Sequence, residues 1–230
     1  MNIDGVFLHH LLHELRPNLE GYRINKVLSI NETDFVFSLS NRKNLLISAN
    51  NNSPHLRITK NEYIASKKAS LFYNQLKSKC ENGIIHSLEQ IENDRLLVFE
   101  IIHFDDLGYQ EKNKLYFEIY GRNANLILTN AEEIIIEAQK RKLPNEEEKR
   151  IIVPKIKYQH LSLGKLNPFT QKGSLKQNNF EGVSNLTFTE MVFQDNQDII
   201  NQPTQPTIME TGHKSYFYCF PLEHLQAQKT

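Results

Sequence analysis

The sequence predicts an α+β protein in which an antiparallel β-meander is covered by helices, and three features of the chain predict it. Between Asn93 and Ala138, short runs of β-branched, aromatic and leucine residues alternate with Asp, Asn and Gly, the pattern of strands joined by tight turns. Ahead of that meander, Val6, Leu8, Leu11, Leu12 and Leu15 recur at helical spacing. Beyond Tyr158 the pattern decays into stretches rich in Asn, Gln, Gly, Ser and Lys, such as GKLNPFTQKGSLKQNNFEGVSN. The resulting plan is a β-rich domain over residues 1–158, a loop-rich segment with reduced helix over 159–213, and a returning strand with a C-terminal tail over 214–230.

Asp4 is an N-cap for the first helix and Pro17 a stop after Arg16, which predicts a helix over 5–16. Strands follow over 22–30, 34–39 and 45–48, separated by Asn31-Glu32 and Asn41-Arg42, with a further short strand at His55 to Ile58. A second helix fits 69–80, with Leu71, Phe72 and Leu76 on one face, Lys77 and Lys79 in the last turn, and Asn82-Gly83 as its stop. The strand 84–91 leads into the meander, whose strands are 96–102, 115–120, 126–128 and 134–136, with a turn from Phe104 to Gly108. A short helix fits 187–193, and YFYCF at 216–220 reads as a last strand returning to the main sheet.

Composition narrows the function classes. With 230 residues, 39% hydrophobic and 23% charged, the chain is long enough to bury a core without disulfides or a structural metal. It contains no apolar run of about 18 residues, so no transmembrane helix is expected. The N-terminus lacks a basic leader and a small-residue cleavage site, which predicts a cytoplasmic protein. Cys80 and Cys219 form no CxxC pair, so neither zinc ligation nor a disulfide framework is indicated. Formal net charge is zero, so affinity for nucleic acid requires local clustering of charge. One such cluster lies between 140 and 157, where Lys140, Arg141, Lys142, Lys149, Arg150, Lys155 and Lys157 face three acids, Glu146, Glu147 and Glu148. It reads equally as a phosphate-contacting arm or as a solvated loop with compensating charge.

Catalytic signatures are absent. Neither a phosphate loop, nor GxGxxG, nor a GxSxG elbow occurs, so nucleotide hydrolysis and bound cofactors are not expected. His9 and His13 share a helix face at i,i+4, but without HExxH or a third ligand they and His10 read as structural or solvent-facing, and no metal is expected. Asp94-Arg95 starts a strand. Because neighbouring strand residues point to opposite faces, at least one of the two should reach the surface or a turn. An ion pair at the strand start and an RNA contact both remain open for them. Glu100 and Glu118, inside apolar runs, could form a carboxylate pair across adjacent strands, but without a visible pocket for acid/base work they read as glutamates on the solvent face.

Several separated motifs, taken in order, resemble one family. They are DGVFLHHLLHEL, LEGYRINKV, LLISA, ENGIIHSLEQIENDRLLVFEI, FEIYGRNANLIL, the R-x-x-V-P of Arg150 to Pro154 with Tyr158, and LNPFT, with echoes in FEGVSNL and YFYCFPL. The chain resembles the amino-terminal module of the NFACT family, the RqcH group also called fibronectin-binding protein A. The resemblance implies the fold of the formamidopyrimidine-DNA glycosylase N-terminal domain, a mostly antiparallel β-sandwich flanked by helices and followed by a helix-two-turns-helix segment. Between LNPFT and FEGVSNL that segment is curtailed here. The glycosylases use a proline amine after the initiator Met and an adjacent Glu; Asn2 and Ile3 follow Met1 here, so the resemblance implies binding without catalysis.

It also implies a role in ribosome-associated quality control, in which full-length members bind the large ribosomal subunit and recruit tRNA for alanine tailing of stalled chains. The family's Asp-Arg pair corresponds to Asp94-Arg95 and its tRNA-facing segment to Glu118, Ile119, Tyr120, Gly121 and Arg122. Base and phosphate contacts would fall to Arg95 and Arg122, with Asp94 and Glu118 orienting them or accepting from bases. Lys140, Arg141, Lys142 and Arg150 are additional candidates for phosphate. GRNAN stands where GRHSN is common, so Asn123 replaces a His. The chain reaches Thr230, short of the coiled coil and carboxy-terminal module of full-length members, and is expected to be a truncated form. The older family name implies a fibronectin-binding adhesin as the alternative partner class, and the fold implies a DNA-binding relative of the glycosylases as another.

Overall fold

A computed structural model of the chain describes residues 3–104, 107–144, 150–160, 162–176, 178–211 and 214–227. Contacts divide it into two units, one formed by 15–89 and 96–160, the other by 1–14, 90–95 and 161–230.

The larger unit carries two antiparallel sheets. Strands β1 (Ile24–Ser29), β2 (Asp34–Leu39), β3 (Asn44–Ser48) and β4 (His55–Thr59) pair in that order, and β5 (Ile84–Gln90), β6 (Leu96–Phe104), β7 (Gln110–Glu118), β8 (Asn125–Asn130) and β9 (Ile135–Ala138) pair likewise. The β6–β7 ladder runs unbroken from Leu96 opposite Glu118 to Phe104 opposite Gln110. Asp105 and Asp106 of the expected turn lie outside the described residues. The starts of β1 and β5 join the two sheets at a corner, through Ile24 N–H to Gly83 O at 2.8 Å and Asn82 N–H to Ile24 O at 2.7 Å. A Cβ at Gly83 would lie 2.8 Å from the Ile101 side chain, so the corner requires glycine.

Helix α1 (Gly5–Leu19) runs past Pro17 rather than stopping at Arg16. A proline in the last turn costs one donor, and Leu15 and Leu19, one turn apart, still bury the same face. On either side of Pro17, Arg16 Nε donates to Leu88 O at 2.8 Å and Leu88 N–H donates to Glu20 Oε1 at 2.8 Å, so two side chains satisfy part of the outer edge of β5. Helix α2 (Leu71–Cys80) starts after the Ser70 cap, whose hydroxyl accepts from Tyr73 N–H at 3.1 Å. Its buried face is Phe72, Leu76 and Cys80, while Leu71, expected on that face, is exposed.

The smaller unit is built on Val6, Phe7, Met191, Ile200, Tyr218 and Phe220, with neighbouring apolar residues packed around them. Asp4 caps α1 as expected, its Oδ1 accepting from Phe7 N–H at 2.8 Å. The same buried carboxylate accepts from the hydroxyls of Ser184 and Thr187, each at 2.6 Å, and from Tyr218 at 3.1 Å. Ser184 in turn caps α3 (Asn185–Phe193). The last strand, β11 (Lys214–Tyr218), does not return to the main sheet: it pairs with β10 (Thr207–Thr211) as a separate two-stranded sheet. A partner a few residues upstream closes a short loop at little entropic cost. Burial would raise the pKa of Glu190, but N–H donors from His224 and Glu223 at the start of α4 (Glu223–Ala227) outweigh it and hold the carboxylate below its usual range.

His10 is buried with both ring nitrogens engaged, Nε2 on Ile200 O and Nδ1 on Thr204 Oγ1, each at 2.8 Å. A carbonyl only accepts, so Nε2 carries a proton, and in the neutral ring Nδ1 accepts from the Thr204 hydroxyl. Burial is the main cause that pushes its pKa below 6.5. The unfolded chain therefore binds a proton that the folded chain refuses as pH drops below 6.5, and stability present above that pH is lost progressively below it. Urea unfolding at a series of pH values should show this decline, and a His10→Asn variant should show a shallower one; equal slopes would remove His10 from the account.

Candidate nucleic-acid interface

In the larger unit, alternation on β7 puts Lys114, Tyr116 and Glu118 on one face and Leu115 and Phe117 on the other. The first face is covered by a strap, residues 150–158. The strap pairs with the outer edge of β9 through Lys155 N–H to Ile135 O and Ile135 N–H to Ile156 O, both 2.8 Å. Tyr158 stacks on Tyr116 with ring centroids 4.0 Å apart and donates its hydroxyl to Glu118 Oε1 at 2.8 Å. Arg150 grips the same carboxylate with two nitrogens, one at 3.1 Å from Oε2 and the other on Oε1, and its Nε donates to Gln159 O at 3.2 Å. Tyr116 and Lys114 both donate to Glu133, whose pKa is lowered chiefly by the Lys114 hydrogen bond.

Glu118 is thus 2% exposed and not on a solvent face, because the strap closes over it. Nor does it face Glu100, since the ladder sets Glu118 opposite Leu96 and Glu100 opposite Lys114. Ile119 is likewise a core residue. Arg150, expected at phosphate, has its guanidinium occupied internally. Arg141 makes a two-point pair with Glu137 at 2.9 and 2.6 Å and holds that carboxylate below its usual range. Lys140 donates inward to backbone and amide oxygens. Lys142 is half-buried and bridges Ile152 through its backbone. Lys149 and Glu146 to Glu148 lie outside the described residues.

Lys155 and Lys157 on the strap are exposed, and so is the turn after β7. Tyr120 is half-buried, and Gly121 to Asn123 form a single 3-10 turn closed by Ala124 N–H to Gly121 O at 2.9 Å. Gly121 has φ of +60°, a conformation that favours glycine. Arg122 and Asn123 are exposed, and Arg122 forms no ion pair among the described residues.

Asp94 and Arg95 belong to the smaller unit, in an irregular loop over 90–95. Asp94 is buried and its Oδ1 accepts from Arg95 N–H at 2.7 Å; Arg95 is half-buried. The loop is held by Gln90, whose amide nitrogen donates to Gly5 O at 2.8 Å and Asp94 O at 2.9 Å, and by Asn93, which donates to Glu181 O at 2.7 Å. Gly5 and Gly182 meet backbone to backbone at 2.7 Å, and a Cβ on either would lie 1.8 Å from Asn93 O. These anchors were not among the expected site residues, although Gly5 and Gly182 sit in the DGVF and FEGVSNL motifs. The turn and the loop are therefore two separately built features, one in each unit. Among the described residues no group of three or more His, Cys, Asp or Glu could hold a metal ion, and no helix is long and apolar enough to cross a membrane.

Removing Arg150 leaves a buried carboxylate without its cation, which costs about 3–5 kcal/mol in comparable pairs. Chemical denaturation of Arg150→Met should show a loss of that order, and the double variant Arg150→Met/Glu118→Leu should recover much of it. A loss below about 1 kcal/mol, the range of exposed pairs, would contradict the buried pair.

Comparison with known proteins agrees with this architecture. Residues 4–230 match the family described as NFACT N-terminal and middle domains. The chain is 35% identical over 175 residues to the Rqc2 homolog RqcH of Streptococcus suis, covering 74% of this chain and 32% of that protein. It is 28% identical over 265 residues to the Rqc2 homolog RqcH of Bacillus subtilis, covering 99% of this chain and 46% of that protein. The chain thus spans less than half the length of these relatives. Among solved structures it superposes on the N-terminal part of the fibronectin/fibrinogen-binding protein from Streptococcus suis with a TM-score of 0.87 at 29% identity, over 96% of this chain and 91% of that one. The fibrinogen binding protein from Staphylococcus aureus gives 0.82 at 25% identity, with the same coverage. By fold and by sequence, the chain belongs to the NFACT N-terminal domain family of Rqc2/RqcH-related proteins.

Proposed function

We propose that this chain is a non-catalytic, cytoplasmic RNA-binding module of ribosome-associated quality control, and that it contacts tRNA through Arg122 on the Gly121 turn and Arg95 on the 90–95 loop. The observation that carries the reading is the contrast around Arg122. Arg150 and Lys140 are engaged internally and Arg141, though exposed, is paired with Glu137, whereas Arg122 is exposed without an ion pair among the described residues, on a turn with a fixed backbone. A guanidinium there can grip a phosphate with two N–H groups or stack on an unpaired base, which suits folded RNA. Tyr120, beside it, offers a ring. Glu118, Ile119 and Asp94 are buried and act by holding the backbone rather than by touching RNA. Contact with the large ribosomal subunit belongs in this reading to longer relatives and to assemblies that contain this module.

Binding of unfractionated bacterial tRNA across a salt series tests the reading. Arg95→Ala and Arg122→Ala should each weaken binding, and each lost phosphate contact should make the slope of log affinity against log salt shallower by about one. Equal affinity of both variants and the parent would reject the site. The similar solved proteins described as fibronectin- or fibrinogen-binding support a second reading, an adhesive module. Under it, immobilised fibronectin retains the chain at salt concentrations that release tRNA, and Arg122→Ala leaves that retention unchanged.

A further inference from the structure

The entry to the Gly121 turn is fixed by Glu118, and the exit has its own anchor. Ala124, the residue that leaves the turn, donates its N–H to Gly121 O at 2.9 Å and accepts at its carbonyl from Lys140 Nζ at 2.5 Å. The same ammonium donates to Ala49 O at 3.2 Å and to Asn51 Oδ1 at 2.5 Å, just beyond the end of β3. An ammonium has three donors, and here each faces an oxygen, leaving none for a phosphate. The backbone of Lys140 is fastened as well: its N–H donates to Asn125 Oδ1 and its carbonyl accepts from Asn125 Nδ2, both at 2.9 Å. Asn125 is buried and follows Ala124 directly, so one residue pair ties the start of β8 to the chain leaving β9 immediately after the turn.

We infer that Lys140 is a positioning residue, one that holds the Gly121–Asn123 turn in the conformation presenting Arg122, and not a residue that meets the ligand itself. The inference rests on the tRNA reading for its functional consequence and on the geometry alone for its structural one. Its chemical content is specific. A cation near a phosphate-binding arginine ordinarily adds its own contact to the anion, whereas this one directs its donors to the carbonyl of Ala124, the residue that leaves the turn, and to two oxygens after β3. Burial pushes the Lys140 pKa down, as expected of an ammonium withdrawn from water.

Two measurements on the full chain test it. Amide hydrogen exchange without RNA should show residues 121–125 opening faster in Lys140→Met than in the parent, by about tenfold for a local opening eased by one lost hydrogen-bond set. In tRNA binding, Lys140→Met should weaken affinity about as much as Arg122→Ala, and adding Lys140→Met to Arg122→Ala should weaken it no further, the signature of a residue acting through another. Additive weakening with a salt slope shallower by about one more would make Lys140 a direct phosphate contact and overturn the inference. Unchanged exchange at the turn would overturn it too. Should Lys140→Met fail to fold, Asn51→Ala, which removes a single acceptor, is read by the same two measurements with the same criteria. Failure of the tRNA reading is distinguishable: Arg122→Ala would then bind as the parent does while the turn still loosens in Lys140→Met.

Discussion

The exposed turn of the larger unit depends on a carboxylate that water does not reach. Desolvating Glu118 costs several kcal/mol unless its oxygens are served, and they are served by two nitrogens of Arg150 and the hydroxyl of Tyr158. Both donors lie on the strap, so the ion pair and the strap require each other. With the strap in place, the edge of β9 is paired instead of open, which removes a template for edge-to-edge association. The strand that ends at Glu118 then delivers Ile119 into the core and Gly121 into the bend.

That arrangement also sorts the basic residues. A chain of zero net charge attracts polyanions only where cations are left uncompensated. Arg150, Arg141 and Lys140 are compensated or internally donated, each for a structural reason visible in its partners. What the turn offers is a single guanidinium in a defined place, while Lys155 and Lys157 of the strap stay exposed beside the compensated cations. The smaller unit reaches a comparable end differently. There the loop carrying Arg95 is fixed by backbone contact between Gly5 and Gly182 and by the amides of Gln90 and Asn93, with the buried Asp4 joining α1, α3 and β11.

Much of this was legible in the sequence where local chemistry is sufficient. The meander strands, the Gly121 bend, the Asp4 cap and most of the helix expected at 187–193 follow from alternation, glycine, capping and helical spacing that act within a few positions. Features set by distant residues were not legible. Glu118 looked like a solvent-face glutamate because its partners are 32 and 40 residues away, on a strap whose strand character is too weak to read. The signal was present all the same, in the R-x-x-V-P motif with Tyr158. Pro17 looked like a stop because the burial of Leu19 that offsets it is tertiary. The β10 strand, TIMET, lies among polar residues, so its partner β11 was assigned to the wrong sheet.

If the turn meets RNA and the buried Glu118–Arg150 pair does not, Arg122 and Arg150 should respond differently to tRNA. Side-chain 15Nε resonances of arginine, followed as tRNA is titrated into the labelled chain, report on each guanidinium separately. The Arg122 signal should shift or broaden while the Arg150 signal stays unchanged. A perturbation of Arg150 with Arg122 unaffected would contradict this assignment.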